Sequence, residues 1–377
     1  MFQLQSVFAN MQIGQLAVHD PEPLVKVLRL DKGEQQDAQE FAKLFMERLN
    51  VEFARQKLRA DAPASSMTID PRRLVEEQFE GKVKHGTRCA GCFTTSERVE
   101  TYREWEVTLA RACQLEKRIR VSLADESLEN ENRCVRSPCS VSRVCSPSRH
   151  IVSHRYWCER CGGKRNATRT TQLISVPPVL HLSLLRFTFS MDTLDRVKSQ
   201  DQITFPLVLD MREFVNDGGS GPLLYDLKGA LLHVGASAHH GHYAAQVHDT
   251  TSGKWFYFDD EAVSPINDLN DANEPDSDSD VGTSRKRAGA GFTRAENGQM
   301  CVTLASSRVH HLLTRHGRLD MHSVPRSKDA YMLVYTRREP GGSNSSQDEP
   351  IPPQWAKDAV DSLAAAHERD VEAHTAA

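Results

Sequence analysis

Three apolar runs between residues 228 and 261 constrain this chain more than any other feature. The stretch reads KGALLHVGASAHHGHYAAQVHDTTSGKWFYFDDE. Ala230-Leu231-Leu232 and Tyr243-Ala244-Ala245 flank a loop of small residues and histidines, and Trp255-Phe256-Tyr257-Phe258 ends in Asp259 and Asp260. Short apolar runs bounded by turn residues read as strands. A strand pair closed through Thr251-Ser252-Gly253 brings Asp259 back towards His242. A carboxylate on one imidazole nitrogen fixes the tautomer and frees the other nitrogen to act as a base. Such a pair is two-thirds of a nucleophilic triad. The histidines at 239, 240 and 242 also admit a metal reading, but no HExxH spacing accompanies them, and a polar loop before a strand is the plainer reading.

At 377 residues the chain is long enough for one large domain or two, with a sizeable core. Hydrophobic residues are 39% and charged residues 26%, the balance of a soluble globular class with polar insertions. Forty-seven basic against 51 acidic side chains leave a net charge of −4, so no whole-chain basic field argues for nucleic acid or anionic membrane. No run approaches the roughly 20 apolar residues of a membrane span. The start, MFQLQSVFANMQIGQ, lacks the basic region and apolar core of a secretory signal. Nine cysteines in such a chain suggest a reducing compartment, where they bind metal or stay thiols more often than they pair.

Residues 24–30 read as a short helix or strand after Pro21 and Pro23. EQQDAQEFAKLFMERLNVEFARQKL, residues 34–58, places Ala38, Phe41, Phe45, Leu49 and Phe53 at helical spacing and predicts an amphipathic helix packed on a core. Residues 83–109 predict two strands around a turn at 89–92, and residues 115–128 a helix. Residues 134–154, rich in Ser, Arg, Pro and Cys, read as a disordered insertion or a translated intron. Residues 173–189, apolar on both faces, predict a central strand; 203–211 and 223–234 continue the sheet, and 330–335 close it. A charged, solvated insertion occupies about residues 264–328. Beyond a Gly/Ser/Asp/Pro linker, residues 355–373 predict an exposed helix.

The strongest metal signal is Cys89-x-x-Cys92 with Cys158-x-x-Cys161. Each pair sits on a tight turn beside glycine, and four thiolates from two such turns satisfy tetrahedral zinc as a structural site. A redox Cys-x-x-Cys needs one motif and a βαβ context, neither of which fits.

Taken together these residues resemble the ubiquitin-specific proteases, the cysteine deubiquitinases. EQQDAQEF at 34–41 resembles that family's QQD box, and HVGASAHHGHYAAQV with KWFYFDD at 233–260 its His box. LSLLRFTF at 182–189 and AYMLVY at 330–335 resemble its sheet strands, and the two cysteine pairs its zinc-bearing fingers. The motifs run in the family's order across about residues 20–338. The resemblance implies an α+β, papain-like cysteine protease fold of thumb, palm and fingers. Residues 1–338 would be a partial catalytic domain: residual thumb helices in 1–60, fingers in 74–172, palm in 173–338, with 339–377 a linker and the start of a helical extension. It implies His242 as general base, Asp259 as its orienting carboxylate and Asp260 as a second partner. It also implies contacts from Gln36, Asp37 and Tyr243 to ubiquitin. Ubiquitin and its conjugates would be the partners, without direct nucleic-acid or membrane binding, in nucleus or cytoplasm.

The family's nucleophile lies in a G-x-x-C-Y-x-N box ahead of the QQD box. Here no cysteine precedes Cys89, and none of the nine is followed by Tyr-x-Asn. The chain therefore reads as a truncated deubiquitinase with an incomplete thumb, inactive as 377 residues. The alternatives are an inert ubiquitin-binding module, or a zinc-stabilised adaptor without ubiquitin affinity. A missing thumb would leave apolar surface exposed around Phe41 and Phe45, and a poorly soluble product.

Overall fold

The computed structural model describes residues 2–13, 21–30, 36–55, 71–111, 113–129, 156–191, 194–216, 219, 221–238, 240–260, 262–266, 269–270, 324–338 and 360. In chain order the elements are helices α1 (Phe2–Ile13), α2 (Glu22–Leu28), α3 (Ala38–Ala54) and α4 (Leu74–Phe79), then strands β1 (Gly81–Cys89), β2 (Thr95–Tyr102), β3 (Trp105–Thr108) and β4 (Cys113–Gln114). Helix α5 (Leu115–Ser122) precedes β5 (Glu126–Leu128), β6 (Tyr156–Cys158), β7 (Gly163–Arg165), β8 (Ala167–Ser175), β9 (Val179–Leu185), β10 (Phe187–Ser190) and β11 (Asp195–Lys198). The rest is strand: β12 (Ile203–Thr204), β13 (Val208–Asp210), β14 (Leu224–Val234), β15 (His242–Asp249), β16 (Lys254–Asp259), β17 (Ala262–Ile266), β18 (Arg326–Ser327) and β19 (Ala330–Arg337). The fold is α+β, as expected.

The largest sheet runs β17-β16-β15-β14-β19-β9-β3, with β13 also paired to β14. Its pairs are antiparallel except β3 with β9. Leu180, Leu182, Ser183 and Leu184 on β9 are all buried, the continuous burial of a strand covered on both faces. With Val107, Leu209, Tyr225, Leu232, Trp255, Leu333 and Tyr335, the three leucines belong to the main core. A second sheet, β2-β1-β8-β5, carries the first cysteine turn at its end. β6 and β7 form a separate two-stranded hairpin with the second.

Several predicted elements are divided. The strand expected over 173–189 breaks at Pro177-Pro178, because proline has no N–H for a ladder. It breaks again at Arg186, whose buried guanidinium donates to the carbonyls of Ala330 (2.5 Å), Ser199 (3.1 Å), Asp201 (2.9 Å) and Ser327 (3.2 Å). The second strand expected within 83–109 divides at Arg103-Glu104, so β2 and β3 lie in different sheets. The helix expected over 115–128 stops at Ser122, and Glu126–Leu128 pairs with β8. Residues 203–211 split around Pro206: Ile203–Thr204 joins β18 and β4, and Val208–Asp210 joins β14.

Of residues 24–30, the part to Leu28 lies in helix α2, with Pro21 as its cap and Pro23 in its first turn, where a missing N–H is not needed, and Arg29 ends the helix in the left-handed region. Helix α3 starts at Ala38, and Asp37 caps it: the Asp37 Oδ1 accepts from the amides of Gln39 (2.9 Å) and Glu40 (3.1 Å). Its predicted packing on a core is not what anchors it, for none of its residues is buried. Phe41 and Phe45 stack on each other at 5.6 Å and are half-buried, while Leu44 is 58% exposed. Polar contacts join the helix to the β2–β3 corner: Arg103 with Glu47 at 2.8 Å, Lys43 with Glu106 at 3.3 Å, and Gln39 with Glu104.

The insertion expected over about 264–328 is narrower among the described residues, since β17 runs to Ile266 and Arg326–Ser327 pairs with β12. The segment 134–154 lies outside the described residues. So does the predicted helix at 355–373, except Val360, which is buried beside Ala9.

Candidate active site and metal centre

Two hairpins bring the histidine and the carboxylate together. β14 pairs with β15 in a register that sets Val234 opposite His242, leaving residues 235–241 as the connecting loop. β15 returns through a turn held by Asp249, whose carboxylate accepts the amides of Thr251 (3.0 Å) and Ser252 (3.1 Å). β16 then runs back with Phe258 opposite Ala245. It reverses at once into β17, with Asp259 opposite Ala262 and Asp260 in the left-handed region at φ 47°.

His242 Nε2 lies 2.5 Å from Asp259 Oδ1 and 4.0 Å from Asp260 Oδ2. Asp259 is thus the hydrogen-bond partner, and Asp260 a more exposed neighbour beyond bonding range. A carboxylate at Nε2 holds the ring proton there and leaves the Nδ1 lone pair free to accept one. Asp260, which the resemblance implies as a second partner, stands beside the same ring at that longer distance.

Beside this pair is an aromatic group that sequence reasoning missed. The His233 ring lies 5.0 Å from Phe187, 5.1 Å from Tyr243 and 6.4 Å from Tyr331. Phe187 and Tyr331 are 5.4 Å apart. Tyr331 donates its hydroxyl to Asp37 Oδ2 at 2.8 Å, and Tyr243 accepts the amide of Ala38 at 3.4 Å. The N-terminus of α3 is therefore fastened to β15 and β19, and Asp37 and Tyr243 meet although 206 positions separate them in sequence (243 − 37). Gln36 stands exposed just before them. Burial pushes the Tyr243 phenol up to about 12 and that of Tyr331 upward as well. Burial lowers the pKa of His233, and its Nδ1 is buried without a hydrogen-bond partner among the described residues. Gly241 presses on this ring so closely that a Cβ there would lie 2.1 Å from Nε2. The cue in sequence was the AYMLVY strand: its first aromatic residue could be flagged, but not the partners it meets.

The four cysteines of the paired motifs also converge. Cys89 ends β1, and its turn closes with the amide of Phe93 on the Cys89 carbonyl at 2.9 Å. Cys158 ends β6, and the β6–β7 hairpin turns through Gly162 at φ 59°. Ala90 donates to the carbonyl of Asn166 at 2.8 Å, which carries the β1–β8 pairing into the first turn. All four Sγ atoms lie within 4.8 Å of one another. Cys92 and Cys158 are 3.5 Å apart and Cys89 and Cys161 4.0 Å, far beyond a disulfide's length of about 2.05 Å. Tetrahedral thiolate ligation at about 2.3 Å places sulfurs about 3.8 Å apart, so the set fits a metal ion. The Gly91 amide donates to Cys89 Sγ at 3.4 Å, a contact that favours thiolate. The Thr94 hydroxyl brings the Cys92 thiol down to about 6, while hydrogen bonding with Cys92 pushes the Cys161 thiol up to about 12.

Among the described residues no helix is long and apolar enough to cross a membrane. The family model for ubiquitin carboxyl-terminal hydrolase matches residues 1–335. Ubiquitin carboxyl-terminal hydrolase 48 of Gallus gallus is 36% identical over 260 residues, covering 69% of this chain and 22% of the relative. Ubiquitin carboxyl-terminal hydrolase 26 of Oryza sativa subsp. japonica is 30% identical over 342 residues, covering 89% and 27%. The chain thus spans about a quarter of the length of these curated relatives. Among solved structures, a chain in the structure of yeast SAGA DUBm is similar over 81% of this chain and 51% of its own, with a TM-score of 0.50 at 19% identity, a likeness of fold.

Proposed function

The chain belongs to the ubiquitin carboxyl-terminal hydrolase family, and from that premise we propose that it supplies the ubiquitin-holding and proton-handling part of a thiol-dependent deubiquitinase. The observation that carries this reading is the His242–Asp259 contact at 2.5 Å, set beside the aromatic group of His233, Tyr243 and Tyr331. His242 is the general base and Asp259 its orienting carboxylate. Asp37, Gln36 and Tyr243 border the path of ubiquitin's C-terminal tail. The four-stranded sheet with its cysteine turns serves as fingers and the large sheet as palm.

In the reaction a thiol loses its proton to Nδ1 of His242, and the sulfur bonds to the carbonyl carbon of ubiquitin's last glycine. The amine of the conjugate leaves with that proton, giving a thioester. Water, deprotonated at the same nitrogen, then releases ubiquitin's carboxylate and restores the thiol. Asp259 stabilises the imidazolium in both halves. The described cysteines are Cys89, Cys92, Cys158, Cys161 and Cys113, and none belongs to the group around His242. That observation favours a second reading for these 377 residues taken alone, a ubiquitin-binding module without turnover.

Zinc is the ion that four thiolates at this spacing would hold, and it would fasten the two cysteine turns as a structural site. Bound there, it supplies no chemistry to the reaction.

Calorimetry with ubiquitin tests the binding reading. Binding that weakens at least tenfold when the two terminal glycines are removed is expected. No binding, with the metal retained, would leave only a zinc-stabilised adaptor. A fluorogenic ubiquitin substrate tests turnover: no cleavage is expected from this chain, and cleavage abolished by His242→Ala would refute that expectation.

A further inference from the structure

The loop that leads to His242 is held from beneath by one buried cation. Lys198 ends β11, and its side chain is wholly removed from solvent. Its Nζ donates to the carbonyls of His233 and Gly235, each at 2.5 Å, and to Asp329 Oδ1 at 2.9 Å. Three acceptors use all three ammonium protons. A buried ion pair is a poor route to stability, since apolar residues of equal volume commonly do as well. What this one supplies is position. Its two carbonyls straddle Val234, the residue paired with His242. The strand ends there, and Gly235 turns away at φ 117°. On the returning side of the loop, Gly241 closes onto the His233 ring. The amide of His233 donates to the Asp329 carbonyl at 2.8 Å, which ties the same stem to the start of β19.

We propose that Lys198 is a positioning residue for His242: by gripping the carbonyls on both sides of Val234 it fixes the stem from which the imidazole meets Asp259. This rests on the reading of His242 and Asp259 as the base and its orienter. Lys198 touches no reacting atom and acts through the backbone. The other charged groups around it are Arg186 and Lys328, both cationic, so Asp329 is the counter-ion the structure gives it.

The test uses the whole chain with 15N-labelled histidine, observed by NMR, with the His242 signals identified by their loss in His242→Gln. The wild type is expected to show an Nε2–H proton shifted downfield by its bond to Asp259, and to lose it in Asp259→Ala. Lys198→Met is expected to lose at least half of that signal, and Lys198→Arg, which keeps a cationic donor, to retain most of it. A Lys198→Met protein with the wild-type signal and only a lower melting temperature would reduce Lys198 to a structural role and overturn the proposal. If Lys198→Met does not fold, Lys198→Gln is read in the same way, loss supporting and retention overturning. A signal that survives Asp259→Ala overturns the reading of the pair, which separates that failure from the failure of Lys198.

Discussion

The cysteine turns and the histidine hairpins are assembled by different forces. Around the cysteines little apolar surface is covered: Phe93 is 65% exposed, Val99 57% and Trp157 60%. The pieces brought together there, β1 and the β6–β7 hairpin, meet at the four thiols. The hairpins that carry His242 and Asp259 instead extend a sheet whose Leu182, Leu232, Leu333 and Tyr335 are almost wholly buried. One region gathers four thiols that could hold a metal ion, and the other rests on hydrophobic burial. His242 and Asp259 are each half-exposed at a hairpin end, so they are held by a core to which they contribute little.

The largest expected effect separates the two ends. Stripping the metal, or Cys158→Ser, removes a binding energy that in zinc-finger peptides is about 10–16 kcal/mol. Amides of β6, β7 and the 89–94 turn should lose hydrogen-exchange protection while β14 and β19 keep theirs; simultaneous loss in both would end the distinction. Next, Leu182→Ala opens a cavity in the large sheet and should cost about 2–5 kcal/mol in denaturant unfolding, with metal content unchanged until the chain unfolds. Gly241→Ala forces a Cβ into the His233 ring and should cost about 1–3 kcal/mol, with weakened ubiquitin binding by calorimetry.

A smaller effect is set by pH. Burial lowers the pKa of His181, His233 and His248 below the ordinary 6.5. The unfolded chain then binds more protons than the folded one as pH falls. The stability these neutral rings allow is present above pH 6.5 and declines below it towards the folded-state values. His181→Gln should flatten that decline in melts taken from pH 7.5 to 5. Smallest of all is Asp259→Ala, expected to change stability by no more than about 0.5 kcal/mol, because the side chain is half-exposed. A large loss would show that the pair is part of the scaffold after all.

Much of this was legible before the fold. The strand pattern around 228–261 predicted the His242–Asp259 meeting, because 17 positions and one tight turn leave the chain few other paths. The paired Cys-x-x-Cys motifs predicted their cluster, because thiolates at that spacing share a ligand sphere. The strand boundaries were less legible. Periodicity registers apolar content, but β9 stops where two prolines and the buried Arg186 interrupt the ladder, and β2 gives way to β3 where Arg103 and Glu104 turn to α3. Helix α3 had the apolar period of a core helix, yet hydrogen bonds and ion pairs tie it to its described neighbours.

What the sequence determined by itself is what short range can fix: the turns, the alternation of the strands, the cap at Asp37, and the chemistry of the cysteine, histidine and aspartate side chains. Setting Asp259 at 2.5 Å and Asp260 at 4.0 Å from the His242 ring took the hairpin register and the left-handed turn at the end of β16. Bringing Tyr331 to Asp37 across 294 positions, and Lys198 beneath the loop before His242, needed the whole sheet. Contacts of that kind leave no local trace, because their geometry is set by how distant strands register against one another and not by the residues on either side.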